Sequence, residues 1–506
     1  MSAADRVIRN TMFLYIRMLV SILVSVFTTR ILLQALGASD YGLYNVVAGA
    51  LSMLGFLSSS LSTATQRFIS FAEGEGHAER IRGIISTSVL LHWILAAAVC
   101  LLFVAAGFLF FNGVLTIPEG RTATAIIVYG CLIFSTVFSI TVVPYEAVLT
   151  AHENMLFYSL LGIADVFLKL LIAIGLTYSS FDRLLLYGAL MALEAWAVRY
   201  VTQLCCQRKY EECQHLQFRK GADKQTMKEM ATFAGWNTLN IATGMFSLYG
   251  MNILINHFFG TLLNAAMGIA NQLSGVLMGV SANMTKALTP VLVKKEGARD
   301  RQQVLEISYL GCKYSYLLFS FFCIPILFEM PFILNLWLQD VPEWTVLFSR
   351  LMIVSCLIEQ LFVFLYQSIQ AQGEVKAYNI ARSVSNILPI LITTFQYHYG
   401  WDPQWVIINW IIFKVVVGGI INLYYAWRNL SLSIRKWLRL VLRPALLTIV
   451  PSLALSEFLM SFSVDGIILR LFRMFSMFVL SLPFYWIFAI GREEKQQLKR
   501  LSHRLE

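Results

Sequence analysis

The sequence predicts an all-α integral membrane protein of about 14 transmembrane helices. They should form two parallel six-helix lobes plus two C-terminal helices. Three features carry this. Of the 506 residues, 58% are hydrophobic and only 13% are charged, whereas a soluble chain carries about 25% charged residues. Apolar runs long enough to cross a ~30 Å hydrocarbon core, which takes about 20 residues, recur along the whole length. Basic residues gather in alternate connections, as they do when positive charge stays on the side of synthesis.

The first run follows directly on MSAADRVIRN. No small-residue cleavage site intervenes, so no signal peptide is expected. The spans lie near 10–33, 43–70, 84–111, 122–150, 155–178, 183–207, 230–257, 262–290, 305–329, 345–371, 376–398, 403–427, 441–463 and 467–490. With both termini cytoplasmic, and with Arg183, Lys376 and Arg443 at span ends counted in the loops, the inside segments hold 25 of the 39 Lys and Arg, the outside loops hold Arg121 and Arg183, and 12 fall within spans. A wrong span count would scramble that alternation. Topology and anionic lipid account for the net charge of +10, with no need for nucleic acid. The eight cysteines are scattered. Their one cluster, Cys205, Cys206 and Cys213 with His215, matches no zinc spacing. No metal and no cofactor are expected.

Sliding the chain on itself by 223 residues lays Gly37 on Gly260, Ser58 on Ser281 and Glu73-Gly74 on Glu296-Gly297. At 221 residues, Tyr145 meets Tyr366 and Glu153 meets Glu374. The expected lobes are therefore 1–215 and 216–430, followed by two helices and a basic cytoplasmic tail over 431–506. Six spans per lobe give both lobes one orientation, an arrangement that places a substrate path at the lobe interface.

Several helix faces do not suit lipid. The second span carries Asn45, Gly49, Ser52, Phe56, Ser59, Thr63, Gln66 and Ser70 at steps of three and four, which is one helical face. Its repeat partner carries Gly268, Gln272, Gly275, Gly279, Ala282 and Lys286, with Asn264 and Asn271 beside them. The first span shows Asn10, Arg17, Ser21, Ser25 and Thr28, and the seventh Asn237, Asn240, Gly244 and Ser247. Small residues also serve tight helix packing. Amides and arginines need a partner or water, and a wet cleft supplies both.

Charges within spans cost about 2.5–3.5 kcal/mol each on insertion scales. Arg30, Lys169, Arg382, Lys414, Asp165, Glu194 and Glu359 are the deep ones. Asp165 and Lys169, spaced i,i+4, either neutralise one another or serve transport. Arg30 lies about 140° around the first helix from Arg17. It either pairs with Asp40 across a polar turn after Gly37 or presents its charge to the cleft. Arginine forks suit phosphate.

The stretch TTRILLQALGASDYGLYNVVAGAL, followed by SSSLSTATQRFIS, resembles the first two helices of bacterial polysaccharide exporters. These belong to the multidrug/oligosaccharidyl-lipid/polysaccharide (MOP) exporter superfamily. The resemblance implies two lobes rocking between inward- and outward-open states, and a cationic cavity for the diphosphate-sugar head of a polyprenyl carrier. In the related peptidoglycan-precursor flippases the last two helices help hold the lipid tail. This chain lacks a deep arginine in its eighth span, so that family's cation set does not transfer whole.

The expected function is a flippase for undecaprenyl-diphosphate-linked oligosaccharide (an O-antigen, capsule or other surface polysaccharide unit) in the bacterial inner membrane. It would act as a monomer among membrane lipid, with a polymerase or glycosyltransferases as further partners. Arg17, Arg30 and Lys414 would neutralise the diphosphate. Asn45, Gln66, Asn237, Asn240, Asn271 and Gln272 would bind sugar. Asp165, Glu194 and Glu359 are candidates for ion coupling. The alternatives are a peptidoglycan-precursor flippase and a cation-coupled multidrug antiporter of the same superfamily. A membrane enzyme is disfavoured, because the sequence carries no nucleophile, Walker or zinc motif.

Overall fold

The structure, a computed structural model, describes residues 3–52, 55–111, 121–214, 223–338, 340–462, 464, 466–489 and 491. Side chains are described for most of these, but not for Asn45. The described residues are helices and the links between them. They form two compact units: Met1–Thr238 with Lys286–Arg299, and Leu239–Thr285 with Asp300–Glu506.

In the first unit, α1 (Ala3–Ser52) is one long helix bent at Gly37, which alone leaves helical geometry with φ 78° and ψ 165°. The Ala-Ser-Asp-Tyr-Gly segment read as a turn continues the helix instead. A single positive-φ glycine absorbs the whole change of direction. There follow α2 (Gly55–Glu75), α3 (Ala78–Leu109), α4 (Thr122–Thr141), α5 (Val143–Ala151), α6 (Met155–Thr177) and α7 (Arg183–Lys209). The expected span 122–150 is thus a broken one, split at Val142 before Pro144, which has no N–H to give to the helix ladder. α1 lies along α6 and α4 along α7. A core of Leu32, Leu36, Val99, Phe103, Tyr129 and Leu176 sits between these helices.

α8 (Lys224–Phe259) begins in the first unit and ends in the second, and α9 (Thr261–Gly297) makes the return passage. The link between them is Gly260 at φ 86°, the repeat partner of Gly37. The second unit continues with α10 (Arg301–Phe328), α11 (Met330–Trp337), α12 (Thr345–Gln360), α13 (Val363–Gln372) and α14 (Lys376–His398). Next, α15 (Trp405–Asn409) runs through a π-helical segment, Trp410–Val417, into α16 (Gly418–Leu430). The last elements are α17 (Ile434–Trp437), α18 (Arg443–Met460) and α19 (Ile467–Phe484). α12 and α13 form a pair bent by 47°. Its break falls one repeat after the one between α4 and α5, which bends less and leaves Thr122–Ala151 a single span.

Among the described residues, 11 helices are long and apolar enough to cross a membrane, and the bent pair makes a twelfth. The two expected spans that fall short, α2 and α14, are helices all the same, lowered in hydropathy by the polar residues along them. Large exposed apolar side chains such as Leu23, Phe27, Leu101, Phe108, Leu171, Ile468 and Phe472 form the surface that lipid would cover. The chain is a multi-pass membrane protein.

Two arginines pin helix ends through ion pairs. Arg121 pairs with both Asp40 and Asp182, while Asp182 also caps α7 by accepting from the backbone N–H of Leu184 and Leu185. In the second unit, Arg473 of α19 reaches Glu329 at 2.5 Å, where the carboxylate is only 2% exposed.

Candidate functional site

Each unit encloses a charged cavity. The first, of about 270 Å³, is lined by Arg17 of α1, Tyr158, Asp165 and Lys169 of α6, Glu194 of α7 and Ser135 and Ser139 of α4, among others. Lys169 lies 2.9 Å from Asp165 and 3.9 Å from Glu194, so one ammonium serves two acids. Arg17 joins neither acid. Its guanidinium lies 4.3 Å from the centre of the Tyr158 ring, held flat against α6 because Gly162 offers no Cβ to collide with it. Lys286 of α9 donates to the Tyr158 hydroxyl, and its ammonium sits 3.8 Å from the same ring centre. Two cations therefore converge on one tyrosine, and neither has a carboxylate within 4 Å among the described residues.

The second cavity, of about 220 Å³, is lined by Asn240, Glu359, Tyr366, Arg382, Asn386, Lys414 and Asn422, among others. Lys414 sits in the π-helical segment, 3.7 Å from the centre of the Trp410 ring. π-Helical turns insert a residue into a helix and often mark functional positions. Arg382 donates to the Lys414 carbonyl at 3.1 Å, and its Nε has no partner. Asn386 donates to the Asn240 side chain at 3.1 Å. At the 221-residue offset, Phe138, Leu161, Asp165 and Glu194 of the first cavity fall on Glu359, Arg382, Asn386 and Val415 of the second. The two cavities are repeat copies of different charge.

The structure thus brings Arg17, Asp165 and Glu194 into one cavity, and Asn240, Glu359 and Lys414 into the other. Other expected residues stand elsewhere. Arg30 is exposed and lines neither cavity, and the Asp40 weighed as its partner is held by Arg121. Asn271 donates to Asn252 at 3.3 Å, and the adjacent Gln272 is exposed. Asn237 is fully buried in the first unit. Gln66 is half-buried, with its Nε2 unsatisfied. Asn45's side chain lies outside the described residues. Sequence reasoning placed Arg382 and Lys169 deep in spans without assigning them, and it missed Tyr158, Asn386 and the serines of α4. Asn386 carried a signal, since the repeat offset lays Asp165 on it.

A second polar cluster ties the end of α9 to the first unit. Lys294 lies 2.8 Å from Glu73 and 3.0 Å from Glu153. His152 lies 2.6 Å from Glu212 and 3.5 Å from Glu73, and its ring stacks on Tyr210 at 4.4 Å. Burial disfavours the charged imidazole, but the bonds to Glu212 and Glu73 outweigh it and lift the pKa from 6.5 to about 9. Burial likewise opposes the Glu73 charge, yet His152 and Lys294 hold that carboxyl below its usual range. His152 does the same for Glu212.

A raised histidine contributes stability fully below its unfolded value, 6.5, and loses that contribution as pH climbs through about 9. The lowered carboxyls contribute above their ordinary range and lose the contribution as pH falls through their depressed values. The unfolding temperature of the purified protein should therefore decline on the alkaline side as pH approaches about 9. His152→Gln should flatten that limb in a thermal-shift series over pH, and an unchanged limb would refute the assignment.

No family model matches the chain, and no curated protein matches it. Its fold, however, is shared with solved transporters. An outward-facing multidrug resistance MATE family transporter of the MOP superfamily superposes with a TM-score of 0.70 at 15% identity, covering 83% of this chain and 95% of that one. The fold is that of MATE transporters. A MATE structure in the bent conformation gives 0.70 at 15% identity over 85% and 95% of the two chains. A MOP superfamily transporter from Pyrococcus furiosus gives 0.67 at 14% identity over 83% and 95%, and its binding pocket is described as being of reverse polarity.

Proposed function

We propose that this chain is a transporter of the bacterial inner membrane that carries an anionic, polyprenyl-diphosphate-linked oligosaccharide across the bilayer. It would work by alternating access of two parallel lobes, 1–215 and 216–430, with both termini cytoplasmic. The observation that carries this reading is the pair Arg17 and Lys286 against Tyr158, two cations that share one ring and form no ion pair within 4 Å among the described residues. Like charges gathered in a low-dielectric interior repel one another strongly. Cation–π contact with one ring offsets about 0.5–2 kcal/mol of that, and a phosphate between them would offset far more. In the second unit Arg382 and Lys414 again bring two cations into one cavity, there beside Glu359. Asp165, Glu194 and Glu359 are the acids through which a proton or cation gradient would act.

The second reading, a cation-coupled multidrug antiporter, has two observations in its favour: the solved relatives named as multidrug transporters, and the acids Asp165 and Glu194 in the first cavity. Proteoliposomes separate the two. On the preferred reading, wild-type protein translocates a fluorescent polyprenyl-diphosphate saccharide, and Arg17→Gln or Lys286→Gln slows this by about tenfold or more, as loss of a charge-assisted contact would. Efflux of a cationic dye, with no saccharide translocation, would establish the antiporter instead.

A further inference from the structure

In the first unit a second cavity, of about 480 Å³, shares Ser135 and Ser139 with the Arg17 cavity. Ser58, Ser59 and Ser62 line it from α2, and Ser135, Thr136 and Ser139 from α4. A hydroxyl in an apolar helix ordinarily donates to the carbonyl four residues back. Ser59 and Thr136 do this, at 3.0 and 2.8 Å. Ser58, Ser62, Ser135 and Ser139 do not, and among the described residues their side chains have no partner. Ser58, Ser62 and Ser135 are half-buried and Ser139 is exposed, so their hydroxyls stay open to whatever fills the chamber. Two i,i+4 serine pairs on two helices therefore mark a chamber built for polar contents.

The second unit shows what closes such a chamber. There the repeat offsets lay Ser58 on Ser281 and Ser139 on Gln360, while Ser135 and Thr136 fall on Cys356 and Leu357. Gln360 is fully buried. It accepts from Ser281 and donates to the Cys356 carbonyl at 3.3 Å. One glutamine occupies the position that serines leave open in the first unit.

We propose that the open chamber is a saccharide site, which deepens the cargo reading above and rests on it. Neutral hydroxyls that both donate and accept match a sugar's own hydroxyls. Val99, Leu132, Ile140 and Val143 offer an apolar wall for the C–H face of the ring. The volume falls in the range of small-molecule sites, roughly 300–1,000 Å³. Among the described residues, none that lines it is aromatic or charged, which suits neither a flat cationic drug nor a bare ion. Sugar contact thus moves from the asparagines and glutamines read in the sequence to the serines of α2 and α4.

The test imports the native plug. Ser139→Gln should reproduce in the first unit the serine–glutamine bond of the second, leaving the fold intact and the chamber filled. Full-length protein in nanodiscs would be probed by saturation-transfer NMR with methyl glycosides of glucose, galactose and N-acetylglucosamine. Wild type should transfer saturation to ring protons of at least one glycoside. Ser139→Gln should weaken that binding about tenfold or more, as a site that loses its hydrogen-bond partners does, with an unchanged unfolding temperature. Should Ser139→Gln misfold, Ser62→Val removes a hydroxyl from the same chamber and narrows it from α2, and should weaken the same binding. Absence of transfer to every glycoside, or wild-type binding in a folded filled variant, would overturn the proposal. If glycosides bind but no lipid-linked saccharide is translocated, the cargo reading fails and the chamber stands. Normal translocation by a folded Ser139→Gln fails the chamber alone.

Discussion

Replacing Gly297 with valine is expected to open the crossing of α2 and α9 and to lower the unfolding temperature of the protein by about 3 °C, taking about 3 kcal/mol as the cost. A Cβ at Gly297 would collide with the carbonyl oxygen of Phe71, and one at Gly74 with the carbonyl oxygen of Lys294. The contacts are reciprocal, because Gly74 and Gly297 are repeat partners and each meets the backbone three residues before the other. A neighbouring side chain could rotate away. A neighbouring backbone cannot, so the helices must part, and Lys294 leaves Glu73 and Glu153. Trypsin should then cut at Lys294 and Lys295 in native-state digests far faster than in wild type. Gly235→Ala is the control, since among the described residues no neighbouring element would lie within 4 Å of a Cβ there. Equal digestion of Gly297→Val and wild type would mean that the crossing does not hold the α9 end in place.

The same glycines show what the sequence made legible. A backbone approach or a positive φ admits little besides glycine, so Gly74 with Gly297, and Gly37 with Gly260, left a trace that self-alignment could find. The Asp165–Lys169 pair was legible because both residues share one helix face. Arg30 was misleading for the complementary reason. Helical periodicity gives directions around one axis but does not say which helix stands opposite, and Asp40 turned out to face Arg121 from the start of α4. Asn271 and Gln272 likewise seemed one polar face, yet one bonds Asn252 and the other is exposed. The serine chamber was invisible for a further reason. Serine reads as small and indifferent in an apolar run, and only coordinates tell which hydroxyls bond back to their own helix and which are left free. Arg382 fell outside the expected site because its role depends on Lys414 being presented from a π-helical segment, which no residue pattern announced.

Arg473→Leu should be the most damaging single change in the second unit. Glu329 sits between α10 and α11, 2% exposed, and Arg473 is its partner at 2.5 Å. The same guanidinium donates to the Phe462 carbonyl at 3.1 Å, so it fastens α19 at two points. Removing one member of a buried ion pair leaves the other charge uncompensated and costs about 3–5 kcal/mol, whereas replacing both with apolar residues is often neutral. Arg473→Leu should therefore reduce the folded yield and the unfolding temperature, and Glu329→Leu added to it should recover most of the loss. The arithmetic of this double-mutant cycle separates a charge effect from a packing one. If α19 helps seat a lipid tail, the rescued double variant also isolates that role. It would retain the helix without its ionic anchor, so a persistent fall in lipid-linked saccharide translocation at restored stability would trace to the position of α19. Additive losses in the double variant would instead show that Arg473 acts through packing against α19's neighbours and not through Glu329.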